Sequence, residues 1–90
     1  MSIGYVYILK CSNGMYYTGS TRFLDYRVNQ HKQGLGSKFT RRNLPVELVY
    51  FEKFPYLGQA LKMEQRIKGF SRKKKNILIN SKRNHLRMDR

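Results

Sequence analysis

The stretch Gly4–Thr21, GYVYILKCSNGMYYTGST, has the pattern of a β-hairpin, around which we expect the rest of the fold to pack. Residues 4–10 and 15–20 are rich in β-branched and aromatic side chains, which favour β-strands. The residues between them, CSNG, include the turn formers Ser, Asn and Gly. We therefore expect two antiparallel strands that bring the tyrosines of this stretch close together.

Downstream of the hairpin, capping signals predict a helix and then a third strand. Ser20 or Thr21 can cap a helix that runs to about Gln33 and is stopped by Gly34. A basic loop, GLGSKFTRRNLP, follows this helix and leads into a strand with the sequence VELVYFEK.

Two more helices follow the third strand. Pro55 opens a helix over residues 56–69, and Ser71 can cap a last helix that runs to Asn80. The predicted order is ββαβαα, an α+β fold of the α/β-sandwich type in which helices flank a small three-stranded antiparallel sheet. We assign residues 1–80 to a single domain and residues 81–90 to a basic, flexible tail.

Length and composition favour one small soluble domain. A chain of 90 residues buries only about 60–65% of the surface that its unfolded form exposes. No apolar run approaches the ~18 residues of a membrane span, and the start of the chain lacks the layout of a secretory signal. Cys11 is the one cysteine, so neither an internal disulfide nor a zinc site is expected. We expect a cytoplasmic monomer without a membrane partner.

Charge is the strongest compositional signal. The chain has 19 Lys and Arg against 5 Asp and Glu, a formal net charge of +14, and the excess is concentrated toward the C-terminus. A charge of this size predicts a polyanionic partner, and nucleic acid is the common one. A solvated basic surface that serves only solubility is the alternative.

Glu64 stands in an unusual place for a carboxylate. At 100° per residue it falls inside the apolar arc of its helix, between Ala60 and Leu57. A carboxylate there must be paired, hydrogen-bonded or bound to a metal. Its partner is therefore either a nearby Arg or Lys or a hard divalent cation.

Arg27 and His31 are i and i+4 on the first predicted helix, and both border its apolar stripe. Surface solvation explains such a pair, but at the edge of the core both side chains could also reach a common anion. A guanidinium can hold a phosphate through two parallel hydrogen bonds, and a histidine can move protons near neutral pH.

Cations also cluster in the basic loop and in the first turn of the last predicted helix, where they oppose the helix dipole. A phosphate docked on the exposed N–H groups would explain that turn, although Ser71 as a plain cap on a solvated helix explains it equally well. We expect nucleic-acid contacts from the residues of these two clusters, Lys38, Arg41, Arg42, Arg72, Lys73, Lys74 and Lys75.

The tyrosines of the hairpin are also the first members of a longer series of residues that indicates a function. Tyr7 and the triplet YTG at residues 17–19 lie across the turn from each other, and Arg27, His31 and Glu64 follow in order. This series resembles the GIY-YIG nuclease superfamily, with YVY in place of the first triplet and YTG in place of the second. The resemblance covers roughly residues 4–80. The segments GSKFTRRNLPVELVYFE and ALKMEQRIKGFSRKKK are similar to the small single-domain bacterial branch, whose members are often left as uncharacterised proteins.

The resemblance implies hydrolysis of phosphodiester bonds with one divalent metal, Mg²⁺ or Mn²⁺. The residues that match family positions are the two motif tyrosines, the helical arginine, the residue one turn later and the metal-binding glutamate, which are Tyr7, Tyr17, Arg27, His31 and Glu64. Asn76 is a weaker match to a polar residue that closes the site in some relatives, and Lys75 beside it is more typical of the family.

The function implied by the resemblance is a metal-dependent endonuclease that acts on DNA, with a preference for single strands or branched structures. In such a site the metal on Glu64 and the Arg27 guanidinium stabilise charge on the phosphate, and a tyrosine of lowered pKa takes the proton from water. The alternative is a non-catalytic nucleic-acid-binding module on the same scaffold. A ribosome-associated RNA binder, suggested by charge alone, is a third function.

A shared site for both motif tyrosines restricts the register of the hairpin. Side chains alternate between the faces of a strand, so Tyr7 and Tyr17 share a face only if paired positions sum to an even number, as when Leu9 pairs with Tyr17. A two-residue Asn13-Gly14 turn would place them on opposite faces. The catalytic interpretation therefore predicts a three-residue loop, Ser12 to Gly14, with Gly14 at positive φ.

Overall fold

The structure is a computed structural model and describes residues 3–87. Three antiparallel strands form one sheet in the order β2-β1-β3, and four helices and a 3-10 turn surround it. The predicted α+β fold with a three-stranded antiparallel sheet and flanking helices is confirmed. The elements in chain order are β1 (Gly4–Lys10), β2 (Tyr16–Thr21), α1 (Leu24–Lys32), α2 (Lys38–Arg42), β3 (Glu47–Phe54), α3 (Leu57–Lys68), α4 (Arg72–Ile79) and the 3-10 turn (His85–Arg87).

The hairpin between β1 and β2 has the loop that the shared site requires. The backbone N–H of Cys11 donates to the carbonyl of Met15 at 2.9 Å, which leaves residues 12–14 as the loop. Gly14 has a φ of 84°, a left-handed conformation that side chains disfavour. The predicted three-residue loop with Gly14 at positive φ is confirmed.

The start of the first helix and the structure of the basic loop differ from the prediction. The first helix begins at Leu24 rather than directly after a Ser20 or Thr21 cap, because Thr21 Oγ1 accepts a hydrogen bond from Phe23 N before the helix starts. The basic loop contains α2, whose first turn is capped by Ser37 Oγ accepting from the N–H of Thr40 at 3.1 Å. A cap that satisfies one free N–H explains why so short a segment is helical.

The sheet has two covered faces. On one, which we call the α3 face, Val6, Ile8 and Tyr50 pack with α3 and α4 around Ile67. On the other, which we call the α1 face, the alternate residues of β1 pack against α1 and the α2 region in a cluster of Tyr7, Leu9, Cys11, Val28 and Val46. The alternation of side chains along β1 divides the core into these two clusters.

The segment that follows α4 packs on the sheet. Asn84 is 2% exposed, and its Nδ2 donates to the carbonyls of Val49 and Ile79, both at 2.8 Å. The prediction of a flexible tail from residue 81 is therefore wrong for residues 81–87, because a buried amide with these partners ties the segment to β3. Residues 88–90 of the predicted tail lie outside the described residues. In residues 3–87 no helix combines the length and apolar character that a membrane span needs.

Candidate active site

The hairpin places both motif tyrosines on the α1 face. Leu9 pairs with Tyr17, and Tyr7 pairs with Gly19, so the two tyrosines share one face as the even register requires. A Cβ atom on Gly19 would lie 2.5 Å from the hydroxyl oxygen of Tyr7. The phenol of Tyr7 therefore lies directly over the backbone of Gly19, and this close approach explains the glycine of the YTG triplet.

A chain of buried hydrogen bonds leads away from Tyr7. The Tyr7 hydroxyl lies 2.9 Å from Nε2 of His31, and Nδ1 of His31 lies 2.9 Å from Oγ1 of Thr40. Thr40 Oγ1 also lies 2.9 Å from Ser37 Oγ and 3.3 Å from the carbonyl of Ser37. The carbonyl can only accept, so with its proton directed to Ser37 the Thr40 hydroxyl accepts the proton of His31 Nδ1. We therefore assign Nε2 of His31 as the acceptor of the Tyr7 proton.

Burial keeps both ends of the Tyr7–His31 hydrogen bond uncharged. Tyr7 is 1% exposed and His31 is fully buried. Burial, with a smaller effect from Tyr17, raises the pKa of Tyr7 to about 12. Burial and the nearby Arg27 guanidinium lower the pKa of His31 to about 4. At neutral pH the phenol therefore keeps its proton and the imidazole stays neutral.

Arg27 is held in place by two acceptors and lies beside Tyr7. One guanidinium nitrogen donates to Gln30 Oε1 at 3.0 Å, and the other donates to the carbonyl of Gly36 at 3.1 Å. The positive charge of the guanidinium beside Tyr7 opposes part of the rise in the pKa of Tyr7. The i and i+4 pair of Arg27 and His31 is thus directed at the motif tyrosine rather than only solvated.

The rings of Tyr17 and His31 also pack against each other, with centroids 5.0 Å apart. The ring of Tyr17 stacks on Phe39 of α2, with centroids 6.3 Å apart and planes inclined by 19°. The structure therefore brings together Tyr7, Tyr17, Arg27 and His31, and their roles stay predictions.

Glu64 lies at the edge of the sheet beside β2. Its carboxylate accepts a hydrogen bond from Ser20 of β2 and forms a 2.8 Å ion pair with Lys68, four residues later on α3. The Glu64 side chain is 13% exposed. The hydrogen bond to Glu64 raises the pKa of Lys68. The polar partners expected for this carboxylate are thus present, and its charge also contributes to the raised pKa of Tyr7.

The carboxylate of Glu64 suits Mg²⁺ better than it suits a metal that is bound by protein side chains alone. Within residues 3–87, no group of three or more His, Cys, Asp or Glu side chains is arranged to hold a metal ion. Mg²⁺ usually keeps several waters and binds through one or two carboxylates together with substrate phosphates. A single, mostly buried carboxylate at the edge of the sheet, such as Glu64, matches that mode.

The weaker candidate Asn76 has a different partner. Its Oδ1 accepts a hydrogen bond from the hydroxyl of Tyr16, whose side chain packs on the α3 face. Lys75 instead lines a groove of about 350 Å³ together with Tyr17 and Lys68. Of the two neighbours, Lys75 is thus the one that α4 brings next to a motif tyrosine.

The predicted nucleic-acid contacts lie on two helices. Three of them belong to α2, and four belong to the first half of α4. Two of the α4 cations cover aromatic rings, since Arg72 lies 4.4 Å from the ring centroid of Tyr16 and Lys74 lies 4.3 Å from that of Phe70. As predicted, Ser71 caps α4, its Oγ accepting from Lys74 N at 3.1 Å. The exposed cations of the two helices are Lys38, Arg41, Arg42, Arg72, Lys73 and Lys74.

Sequence reasoning missed three side chains of this region. Ser37 and Thr40 fell in a segment predicted to be a loop, although Ser is among the residues preferred at a helix N-cap. Lys68 was not singled out, although its i+4 spacing from Glu64 favours an ion pair.

Comparisons with known proteins agree with this arrangement. The model of the GIY-YIG catalytic domain matches residues 3–76. A UPF0213 protein of Staphylococcus saprophyticus is 47% identical over 75 residues, which cover 83% of this chain and 92% of that protein. A UPF0213 protein of Staphylococcus aureus strain Mu3 is 44% identical over 79 residues, covering 88% and 96% respectively.

A solved structure is also similar. The solution NMR structure of a UPF0213 protein from Bacillus halodurans has a TM-score of 0.59 and 41% sequence identity, and the match covers 90% of this chain and 86% of that one. The family predicted from the tyrosine triplets is confirmed. The chain belongs to the GIY-YIG family, among its small single-domain UPF0213 relatives.

Proposed function

We propose that this protein is a metal-dependent endonuclease that hydrolyses phosphodiester bonds in DNA. The observation that carries the proposal is the hydrogen bond from the buried Tyr7 hydroxyl to a neutral His31, with Arg27 beside it. Even when every member is satisfied, a buried polar chain of this kind adds little stability over apolar side chains of the same size, so a purely structural core has little use for it.

Arg27 is the residue that would bind the phosphate. A guanidinium has five N–H donors, and only some of them are used by Gln30 and Gly36. Those two acceptors hold the guanidinium in a fixed orientation, so its remaining donors can meet the charge that develops on the nonbridging oxygens.

Glu64 is the residue that would hold the metal, with water and substrate oxygens as the other ligands. When bound, Mg²⁺ or Mn²⁺ supplies Lewis-acid stabilisation of the negative charge on the phosphate. Ser20 and Lys68 orient the carboxylate of Glu64 from the protein side.

Tyr7 is the candidate general base, and His31 is the candidate acceptor of its proton. With a pKa of about 12 the phenol does not ionise unaided at neutral pH. Positive charge brought next to it favours the phenolate. As Tyr7 removes a proton from the attacking water, its own proton can pass to Nε2 of His31.

The experiment is a cleavage assay on single-stranded, duplex and branched DNA, with and without Mg²⁺ or Mn²⁺. Glu64→Gln should abolish metal-dependent cleavage while DNA binding persists, because an amide keeps the shape but is a poor metal ligand. Glu47→Gln, at an exposed carboxylate of β3, is the matched control and should cleave normally. Equal cleavage by the wild type and Glu64→Gln would refute the site.

A non-catalytic nucleic-acid-binding module is the second candidate. The observation that favours it is the engagement of the Glu64 carboxylate by Lys68 and Ser20, which leaves it satisfied without a metal. Under this alternative every substrate in the panel would be bound and none cleaved. In both cases affinity should fall steeply with salt, with a slope of about −0.9 per duplex phosphate neutralised. Replacement of Lys73, Lys74 and Lys75 by Ala should weaken binding alike for all sequences.

A further inference from the structure

A second groove lies on the α1 face, beneath the beginning of α1. Its volume is about 590 Å³, larger than that of the groove beside Tyr17. Four aromatic rings and two cations contribute to its lining, and these are Tyr5, Phe23, Tyr26, Phe51, Arg22 and Lys53. None of these residues belongs to the site proposed for catalysis.

Two of the aromatic rings are unusually exposed. Phe23 is 69% exposed and Tyr26 is 67% exposed, although both begin a helix whose other face is buried. Tyr5 and Phe51, half-buried, form the wall of the groove and pack edge to face with centroids 6.2 Å apart. Aromatic side chains left open next to one another on a basic domain are typical of a surface that binds a ligand.

The groove is joined to the candidate active site. Tyr5 lies two residues before Tyr7 on β1, on the same face, which corresponds to about 7 Å along the strand. On α1, Gln30 donates to the hydroxyl of Tyr26 at 3.3 Å and accepts from Arg27 at 3.0 Å. The same glutamine therefore orients a ring of the groove and the guanidinium that would hold the phosphate.

The charges of the groove suit a nucleotide. Arg22 and Lys53 flank the rings, against one carboxylate, Asp25. Aromatic faces bind bases by stacking, and the two cations can bind the adjoining phosphates. In a duplex the bases are already stacked on each other, so their faces are not available to protein rings.

We propose that this groove binds an unpaired nucleobase of single-stranded DNA, on a nucleotide that neighbours the phosphate held at the candidate active site. The proposal rests on the proposed function for the position of that phosphate, but the binding itself requires neither metal nor cleavage. It gives a preference for single strands a physical origin in Phe23 and Tyr26.

The test is an affinity measurement on the full chain in EDTA, where metal-dependent cleavage cannot occur. The probes are a short single-stranded DNA, the same strand with its bases removed, and the corresponding duplex. Phe23→Ala and Tyr26→Ala should each weaken binding of the intact strand by about 5- to 150-fold, the range that stacking of one base supports. Binding of the base-free strand and of the duplex should change little.

Three control variants test whether the loss of binding comes from the rings of Phe23 and Tyr26. Tyr56→Ala removes an exposed tyrosine, 52% exposed, that does not line the groove, and it should bind as the wild type does. Phe23→Leu keeps an apolar side chain but loses the ring, so it should resemble Phe23→Ala. Tyr26→Phe keeps the ring and loses the hydroxyl, so it should retain affinity if stacking rather than the contact to Gln30 matters.

The proposal is overturned if Phe23→Ala and Tyr26→Ala bind the single strand normally, or if they weaken all three probes equally. An equally large loss of affinity for the single strand in Tyr56→Ala would also overturn it. So would the finding that another molecule binds in the groove in place of DNA. Thermal unfolding of each variant separates loss of binding from loss of fold. Cleavage with Mg²⁺ is measured separately, so failure of the endonuclease proposal leaves this result interpretable.

Discussion

The two faces of the sheet are both buried, but they are built from different chemistry. The α3 face is packed from apolar side chains such as Val6, Ile8 and Ile67, each fully buried. The α1 face has a similar apolar cluster, but a hydrogen-bonded chain from Tyr7 through His31 to Thr40 runs through it, and these residues are equally buried.

The two faces therefore differ in how much they contribute to stability and in which of them carries polar groups suited to chemistry. An apolar face gains free energy from every buried side chain, whereas a buried polar chain only offsets its own desolvation. A chain of 90 residues has little surplus stability, so a polar chain in half of its core is evidence for a role beyond folding.

The largest expected effect is the loss of cleavage when the hydroxyl of Tyr7 is removed. Removal of a buried hydroxyl on the other face of the sheet is the control. Tyr7→Phe should lower the rate of cleavage by about 10²- to 10⁴-fold, the usual contribution of a general base. Tyr50→Phe removes an equally buried hydroxyl on the α3 face, one that donates to Glu52, and should leave the rate unchanged. Single-turnover cleavage of one DNA substrate by both variants measures the contrast, and equal rates would remove Tyr7 from the mechanism.

Truncation on the α3 face should affect stability alone. Ile67→Ala should lower the free energy of unfolding by about 2–5 kcal/mol, since Ile67 is fully buried and a cavity would remain. Leu61→Ala on the same helix, at a side chain that is 46% exposed, should cost under about 0.5 kcal/mol. Denaturant unfolding measures both, and a large loss in Leu61→Ala would show that the helix buries more than the structure indicates.

The α1 face should make stability sensitive to acid. The pKa of His31 falls from its ordinary value of 6.5 to about 4 on folding, so the unfolded chain binds this proton more tightly. The stability linked to His31 is therefore complete above pH 6.5 and is lost as the pH falls toward 4, by about 3 kcal/mol. Unfolding followed across this range should show a flatter profile for His31→Gln, and an unchanged slope would contradict burial of a neutral imidazole.

The smallest effect compares two buried threonines. Thr40→Val should destabilise by about 1–3 kcal/mol, because it leaves the N–H of His31 without an acceptor, and Thr40→Ser should restore most of this. On the α3 side, the hydroxyl of Thr18 is the one buried side-chain polar atom without a partner among the described residues. Thr18→Val should therefore be neutral or stabilising, and equal losses at both positions would erase the contrast between the faces.

Local chemistry let the sequence predict much of the fold. The parity of the hairpin register, the left-handed Gly14 and the Ser71 cap all depend on residues within a few positions of each other, and all three are found. The α2 helix was missed because its five residues are too few for a periodic pattern, and the first helix was begun too early. Short-range signals identify elements better than they identify their ends.

For the candidate site, the residues to consider could be chosen from the amino-acid sequence. The order of Tyr7, Tyr17, Arg27, His31 and Glu64 along the chain was sufficient to predict the family, which the comparisons confirm. The part that each residue takes in catalysis stays a prediction for the experiments above.

How these residues are held depends on contacts between distant parts of the folded chain. The Tyr7–His31 hydrogen bond joins residues 24 positions apart, and the Ser20–Glu64 hydrogen bond joins residues 44 apart. The burial that shifts the pKa of His31, the acceptor supplied by Thr40 and the docking of Asn84 likewise need the whole chain packed. Such contacts depend on desolvation and on the relative placement of distant elements, and no local pattern of side chains encodes either.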